Sequence, residues 1–233
     1  MKSKIHYKVI FAIAILFAAC KEDNYDAPES SFSGRIVYQG EPIGVQHLQV
    51  RFELWQPGFG KLAPIDVNVA QDGSWSSLLF DGDYKLVIPP GEGPFAWRQN
   101  SQGRPDTMAI ALRGSQTLDI EVTPYYMIRN SSITASGNTV TASCGLEQVI
   151  TDANARDVER VTLYVNKTQF VSGADNIQSV NLAGSAIADL NNINLSVDVP
   201  AMTPSQNYVF ARIGVKIAGV EDLIFSPLVR VQL

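Results

Sequence analysis

From residue 32 onward the chain is written in short apolar–polar alternations broken by turn residues. Leu48, Val50, Phe52 and Leu54 alternate with Gln49, Arg51, Glu53 and Trp55. Ile65, Val67 and Val69 repeat the pattern, and Val209, Ala211, Ile213, Val215 and Ile217 share one face of a longer segment. A period of two marks strands with one buried face. The same reading predicts strands at 32–39, 48–56, 65–69, 75–80, 84–88, 108–112 and 118–122. After Pro124 it predicts strands at 128–134, 139–146, 158–165, 193–199, 208–217 and 223–231. Gln71-Asp72-Gly73 and Asp81-Gly82-Asp83 read as tight turns, with glycine supplying positive φ. No stretch keeps a helical period over ten residues. Between Lys167 and Leu190 the alternation weakens, which fits a loop or a short helix around 184–190. The expected fold is all-β: two consecutive antiparallel β-sandwiches, 32–124 and 125–233, each long enough for its own core.

The first residues follow a different logic. Lys2, Lys4 and Lys8 precede an apolar run from Val9 to Ala19, and Ala18 and Ala19 lead into Cys20. Charge, apolar run and small residues in that order define a secretory signal over 1–19. The run is too short for a membrane-spanning helix, which needs about 20 residues. A cysteine directly after the small residues resembles the bacterial lipobox, in which Cys20 would become the lipidated first residue of the mature chain. Lys21, Glu22 and Asp23 resemble the surface-export signal of Bacteroidetes lipoproteins. Together these place the expected protein on the outer face of the outer membrane. Residues 20–31 form the lipidated cysteine and a polar, acidic linker.

Charge narrows the partners. Removing residues 1–19 takes away three lysines and no acids, leaving 15 basic and 23 acidic residues, a net charge of −8. Nucleic acid is disfavoured, because phosphate binding needs clustered Lys and Arg. Anionic lipid is not attracted either, so the lipid on Cys20 must do the anchoring.

The catalytic inventory is thin. His47 is the single histidine of the mature chain, and no nucleophile elbow accompanies it. It reads as a plain turn residue. Cys144 shares a strand face with Val140, Ala142 and Leu146 and reads as a small buried hydrophobe. Zinc fails on ligand count, and no calcium loop of the EF-hand type is present. No metal, cofactor or enzymatic activity is expected.

The aromatic residues carry the binding argument. Flat rings stack on the apolar faces of sugars, and neighbouring amides and charges bond the hydroxyls. Trp55, Trp75 and Trp97 all lie in the first predicted domain. Trp75 follows an Asp-Gly turn and reads as core. Trp55 is out of phase with its strand's apolar face. Trp97 lies in the long segment 89–106 with Phe95, Arg98, Gln99, Asn100 and Gln102. Trp97, Phe95, Arg98 and Trp55 are therefore the candidate sugar contacts. Packing against the second domain or against a partner is the competing role for the same residues.

Three resemblances rest on these motifs. Asp-Gly-Ser-Trp followed by Phe-Asp-Gly-Asp-Tyr-Lys-Leu-Val-Ile, within 72–88, resembles prealbumin-like or carboxypeptidase-regulatory-like domains. The segment 208–233 resembles the last two strands of a fibronectin-III or immunoglobulin-like domain, with Tyr208 as the candidate corner tyrosine. The whole chain resembles two-domain Bacteroidetes surface lipoproteins of unknown function, typically encoded beside SusC/SusD-type glycan-import pairs. That resemblance implies a non-catalytic accessory that binds or presents polysaccharide or oligosaccharide beside SusC/SusD-like proteins. It equally admits a structural or spacer subunit with no glycan binding of its own.

Overall fold

The structure, a computed structural model, describes residues 26–58 and 61–233. The expected signal peptide, the lipidated Cys20 and the export residues Lys21, Glu22 and Asp23 lie outside the described residues.

The first half contains β1 Ser30–Tyr38, β2 Glu41–Pro42, β3 Arg51–Trp55, β4 Pro64–Asn68, β5 Ser74–Leu79, β6 Gly82–Val87, β7 Phe95–Ala96, β8 Met108–Leu112, β9 Gln116–Thr117, β10 Ile120–Glu121 and β11 Thr123–Pro124. The second half contains β12 Tyr126–Ser136, β13 Thr139–Gln148, β14 Val158–Asn166, β15 Gln178–Ala183, β16 Ile193–Asp198, β17 Tyr208–Ile217, β18 Ile224–Phe225 and β19 Val229–Gln232. Apart from one short 3₁₀ turn, Gly184–Ala186, the described regular structure is all strand. The predicted fold class is thus borne out.

In the first half, β1 lies between β5 on one side and β9, β10 on the other, and the second sheet runs β4-β3-β6-β8. The pairing of β1 with β9 and β10 is parallel, so this sheet is mixed rather than purely antiparallel. In the second half, β12-β13-β16 faces β15-β14-β17, with β18 and β19 both paired to β17. Inward residues follow the predicted alternation: Phe52 and Leu54, Val140, Ala142, Cys144 and Leu146, and Val209 to Ile217 on one face of β17 are all buried. Trp75 is core, edge-on to Phe32 and Phe52 at centroid distances of 4.9 and 5.0 Å.

Four local readings change. Leu48 is not in a strand: it adopts φ +57° in a turn and is exposed. The run that begins at Val50 is the buried one. Gly73 has the expected positive φ, but Gly82 does not; it opens β6, where a Cβ would lie 2.3 Å from the Gln56 amide. The region 167–190 holds a strand, β15, at the edge of its sheet. A tyrosine-to-backbone bond of the corner type is made in the first half, where the Tyr84 hydroxyl donates to the carbonyl of Phe80 four residues upstream at 2.7 Å. Tyr208 instead carries the Arg230 guanidinium over its ring at 3.8 Å.

The two sandwiches meet over a buried junction, and their buried apolar residues form one connected cluster. Phe225 donates its N–H to the Gly44 carbonyl at 2.9 Å, and Gly93 donates to Asp222 Oδ2 at 2.7 Å. The Gln71 amide donates to the Gln169 carbonyl at 2.9 Å, and Arg129 bridges Glu41 and Glu147.

Candidate functional site

Arg212 sets the geometry at the junction. It lies on β17 opposite the apolar face and points away from its own core. That side is covered by the first domain, so Arg212 is only 1% exposed. Its Nε donates to the Ser226 carbonyl at 3.0 Å. One terminal nitrogen donates to the Val45 carbonyl at 3.2 Å and to the Gln71 side-chain oxygen at 3.3 Å. The other donates to the Gln71 carbonyl at 2.8 Å. The guanidinium also lies 4.5 Å from the centre of the Phe225 ring. Burial pushes its pKa down to about 10, with Asp72 pulling the other way. It therefore stays charged at neutral pH and clamps carbonyls of both domains.

The four predicted contact residues are placed very differently. Trp55 ends β3 on the solvent face of the β4-β3-β6-β8 sheet and is half-buried. Its Nε1 donates to Glu53 Oε2 at 2.9 Å. Glu53 in turn pairs with Arg51 at 3.1 Å, and Arg51 also pairs with Asp66 at 2.5 Å and Glu92 at 3.4 Å. This chain of charges holds the indole in one orientation. Pro64 and Lys85 flank Trp55 on the adjacent strands. The result is a fixed ring beside polar groups, the combination that sugar stacking uses.

Trp97 is half-buried against the core, and its Nε1 donates to the Asp106 carbonyl at 2.7 Å. Arg98 is exposed, with its guanidinium 4.8 Å from the Trp97 ring centre. The ring is thus pinned by its nitrogen and covered on one side by Arg98. Phe95 departs from expectation. It is only 6% exposed and packs over Gly93, where an added Cβ would come within 2.2 Å of the ring. Its strand β7 pairs with β11. Phe95 therefore braces the start of the long loop and offers no ring face to a ligand.

A second concavity was not legible as a site in the sequence. A cleft of about 670 Å³ lies between the domains, lined among others by Glu41, His47, Asp72, Gln169, Phe170 and Leu228. His47 lies in a turn, as expected, and there it is half-buried and packs on Phe170 at a centroid distance of 4.7 Å. Phe170 lies in the stretch where the alternation faded. Its one sequence signal was a large aromatic in a polar segment. Among the described residues no group of three His, Cys, Asp or Glu side chains is gathered as a metal ion would require.

A two-domain all-β chain with its domains clamped together is the class this architecture defines. Two family models match: residues 30–123 match the N-terminal domain of a protein of unknown function (DUF3823), and residues 126–230 match a domain of unknown function (DUF3823_C). The chain belongs to the DUF3823 family. A DUF3823 family protein from Parabacteroides merdae ATCC 43184 is 33% identical, covers 89% of this chain and 100% of its own, and superposes with a TM-score of 0.76. A second, from Bacteroides ovatus ATCC 8483, is 30% identical over 88% of this chain and 99% of its own, with a TM-score of 0.75. A protein from Bacteroides uniformis ATCC 8492, described as a "putative carbohydrate binding protein", shares the fold at 17% identity over 88% of this chain and 100% of its own, with a TM-score of 0.69. No curated protein matches the chain.

Proposed function

We propose that this protein is a non-catalytic, lipid-anchored protein of the outer-membrane surface that captures glycan for a SusC/SusD-type import complex. The observation that carries this reading is Trp55, an indole left partly open to solvent on a sheet face and held in place by Glu53. A ring already fixed loses little freedom when a sugar stacks on it. Neither Trp55 nor Trp97 is fully buried, as the reading requires. The carbohydrate-binding description of one relative of the same fold agrees with it. Anchoring rests on Cys20 and export on Lys21, Glu22 and Asp23, all from the sequence.

The competing role, a structural subunit without glycan binding, is favoured by one feature: the loop that carries Phe95 is bonded to the second domain through Gly93 and Asp222. The two readings separate by mutation. Trp55→Ala is expected to weaken retardation of the soluble chain 21–233 in a glycan-containing native gel by about tenfold, the loss of roughly one aromatic stacking contact. Trp97→Ala is expected to do less, because its ring is already engaged. If both variants run as the parent does in the retarding gel, the sheet-face site is wrong.

A further inference from the structure

We propose that the cleft between the domains is a second carbohydrate site, distinct from the Trp55 face, and that it takes a neutral oligosaccharide. The inference rests on the glycan reading above for the class of ligand, but on different residues. Clefts at domain interfaces, a few hundred to a thousand Å³ in volume, are the usual setting for small-ligand sites. The 670 Å³ cleft here has that size and position.

Its walls supply both halves of sugar recognition. The apolar half is the His47–Phe170 ring pair, tilted at 43°, together with Leu228. Phe170 stays 39% exposed although a ring of that size gains from burial. The polar half is a set of acceptors with capacity to spare. Asp72 uses Oδ1 for the Ser74 N–H at 3.0 Å and the Ser74 hydroxyl at 2.6 Å. The carboxylate also draws on the Asp72 backbone N–H, and no other residue's donor is bonded to its second oxygen among the described residues. Glu41 uses Oε2 for Arg129 and leaves Oε1 available. The His47 ring nitrogens and the Gln169 amide have no hydrogen-bond partner among the described residues. Carboxylate oxygens accept from sugar hydroxyls in the stronger, charge-assisted class of hydrogen bond.

Charge selects the ligand. Glu41 and Asp72 are both acidic. The cation that lines the cleft, Arg212, has its guanidinium committed to three carbonyls and the Gln71 side chain. Arg129, beside the cleft, is committed to Glu41 and Glu147. A uronate or sulfated sugar would meet two carboxylates and, among the described residues that line the cleft, no free Lys or Arg. A neutral sugar meets acceptors. The cleft is also of fixed width, since Gln71 of the first domain bonds both Arg212 and the Gln169 carbonyl of the second. A preformed site loses less on binding.

The test is titration calorimetry of the soluble chain 21–233 with cellohexaose, maltohexaose, xylohexaose and mannohexaose, and with hexagalacturonate as the acidic probe. Parent, Phe170→Ala, Asp72→Asn and Trp55→Ala are compared, with unfolding midpoints measured to show that each is folded. The expected result is binding of at least one neutral hexasaccharide, weakened about tenfold or more by Phe170→Ala and by Asp72→Asn, with no binding of hexagalacturonate. Neutral binding that survives both cleft substitutions and disappears in Trp55→Ala overturns the cleft and leaves the Trp55 site standing. Preference for hexagalacturonate overturns the assignment to neutral sugar. Failure of every probe to bind overturns both sites.

Discussion

Replacing Arg212 with methionine is expected to cost about 2–6 kcal/mol, roughly 1–3 kcal/mol for each of two stranded carbonyls, and to lower the melting temperature by roughly 10 °C, at about 2–4 °C per kcal/mol for a chain of this size. The substitution removes four hydrogen bonds made by a charged donor, each in the stronger class. It also strands the Val45 and Ser226 carbonyls, both on buried residues. Methionine restores the volume but no donor. Arg212→Lys is expected to recover only part of the loss, because one ammonium cannot reproduce the planar fork that reaches three carbonyls at once. Thermal and urea unfolding followed by circular dichroism decide the matter. A methionine variant that melts within 2 °C of the parent would show that the domains hold together without the Arg212 clamp.

Trp75→Ala is the second large loss, about 3–5 kcal/mol, the range for emptying an aromatic site in a core. The ring sits edge-on between Phe32 and Phe52 and is 4% exposed. Trp75→Phe is expected to cost far less. The Trp75 Nε1 is buried without an acceptor among the described residues. An unpaired buried donor costs roughly 1–3 kcal/mol, which phenylalanine recovers against the smaller cavity it leaves. Urea midpoints of the two variants should therefore be widely separated. If phenylalanine is as damaging as alanine, ring volume dominates and the orphan donor is of no energetic consequence.

The strands were legible where one face is buried and the other wet. Phe52 and Leu54 in β3, and Val209 to Ile217 in β17, announce themselves by a period of two because a one-residue slip would expose every apolar side chain. β15 was not legible: at the sheet edge, Val180 and Leu182 are only partly buried, so the contrast between faces is weak. Leu48 misled because an apolar residue in phase with a strand can still belong to the turn before it. The parallel pairing of β1 depends on contacts about 84 residues apart in sequence, which no local pattern records.

The site was less legible than the fold. Alternation put Val209, Ala211, Ile213, Val215 and Ile217 on one face of β17, and Arg212 lies on the other. The alternation could not say that the outside of one domain is the inside of the junction. Trp55 was readable as exposed because it breaks phase in a well-defined strand. Phe95 was not, since its burial depends on folding back over Gly93 within a loop. The cleft draws on separate segments from Glu41 to Leu228. Only the docking of the two domains brings His47 to Phe170.

The central claim, that the protein captures glycan, is tested most directly by affinity electrophoresis of the soluble chain 21–233 through native gels. Each gel would contain one polysaccharide from a panel of neutral and acidic types. The account predicts retardation by at least one neutral polysaccharide and none by the acidic ones. Unchanged mobility across the whole panel would contradict it and leave the structural-subunit reading in its place.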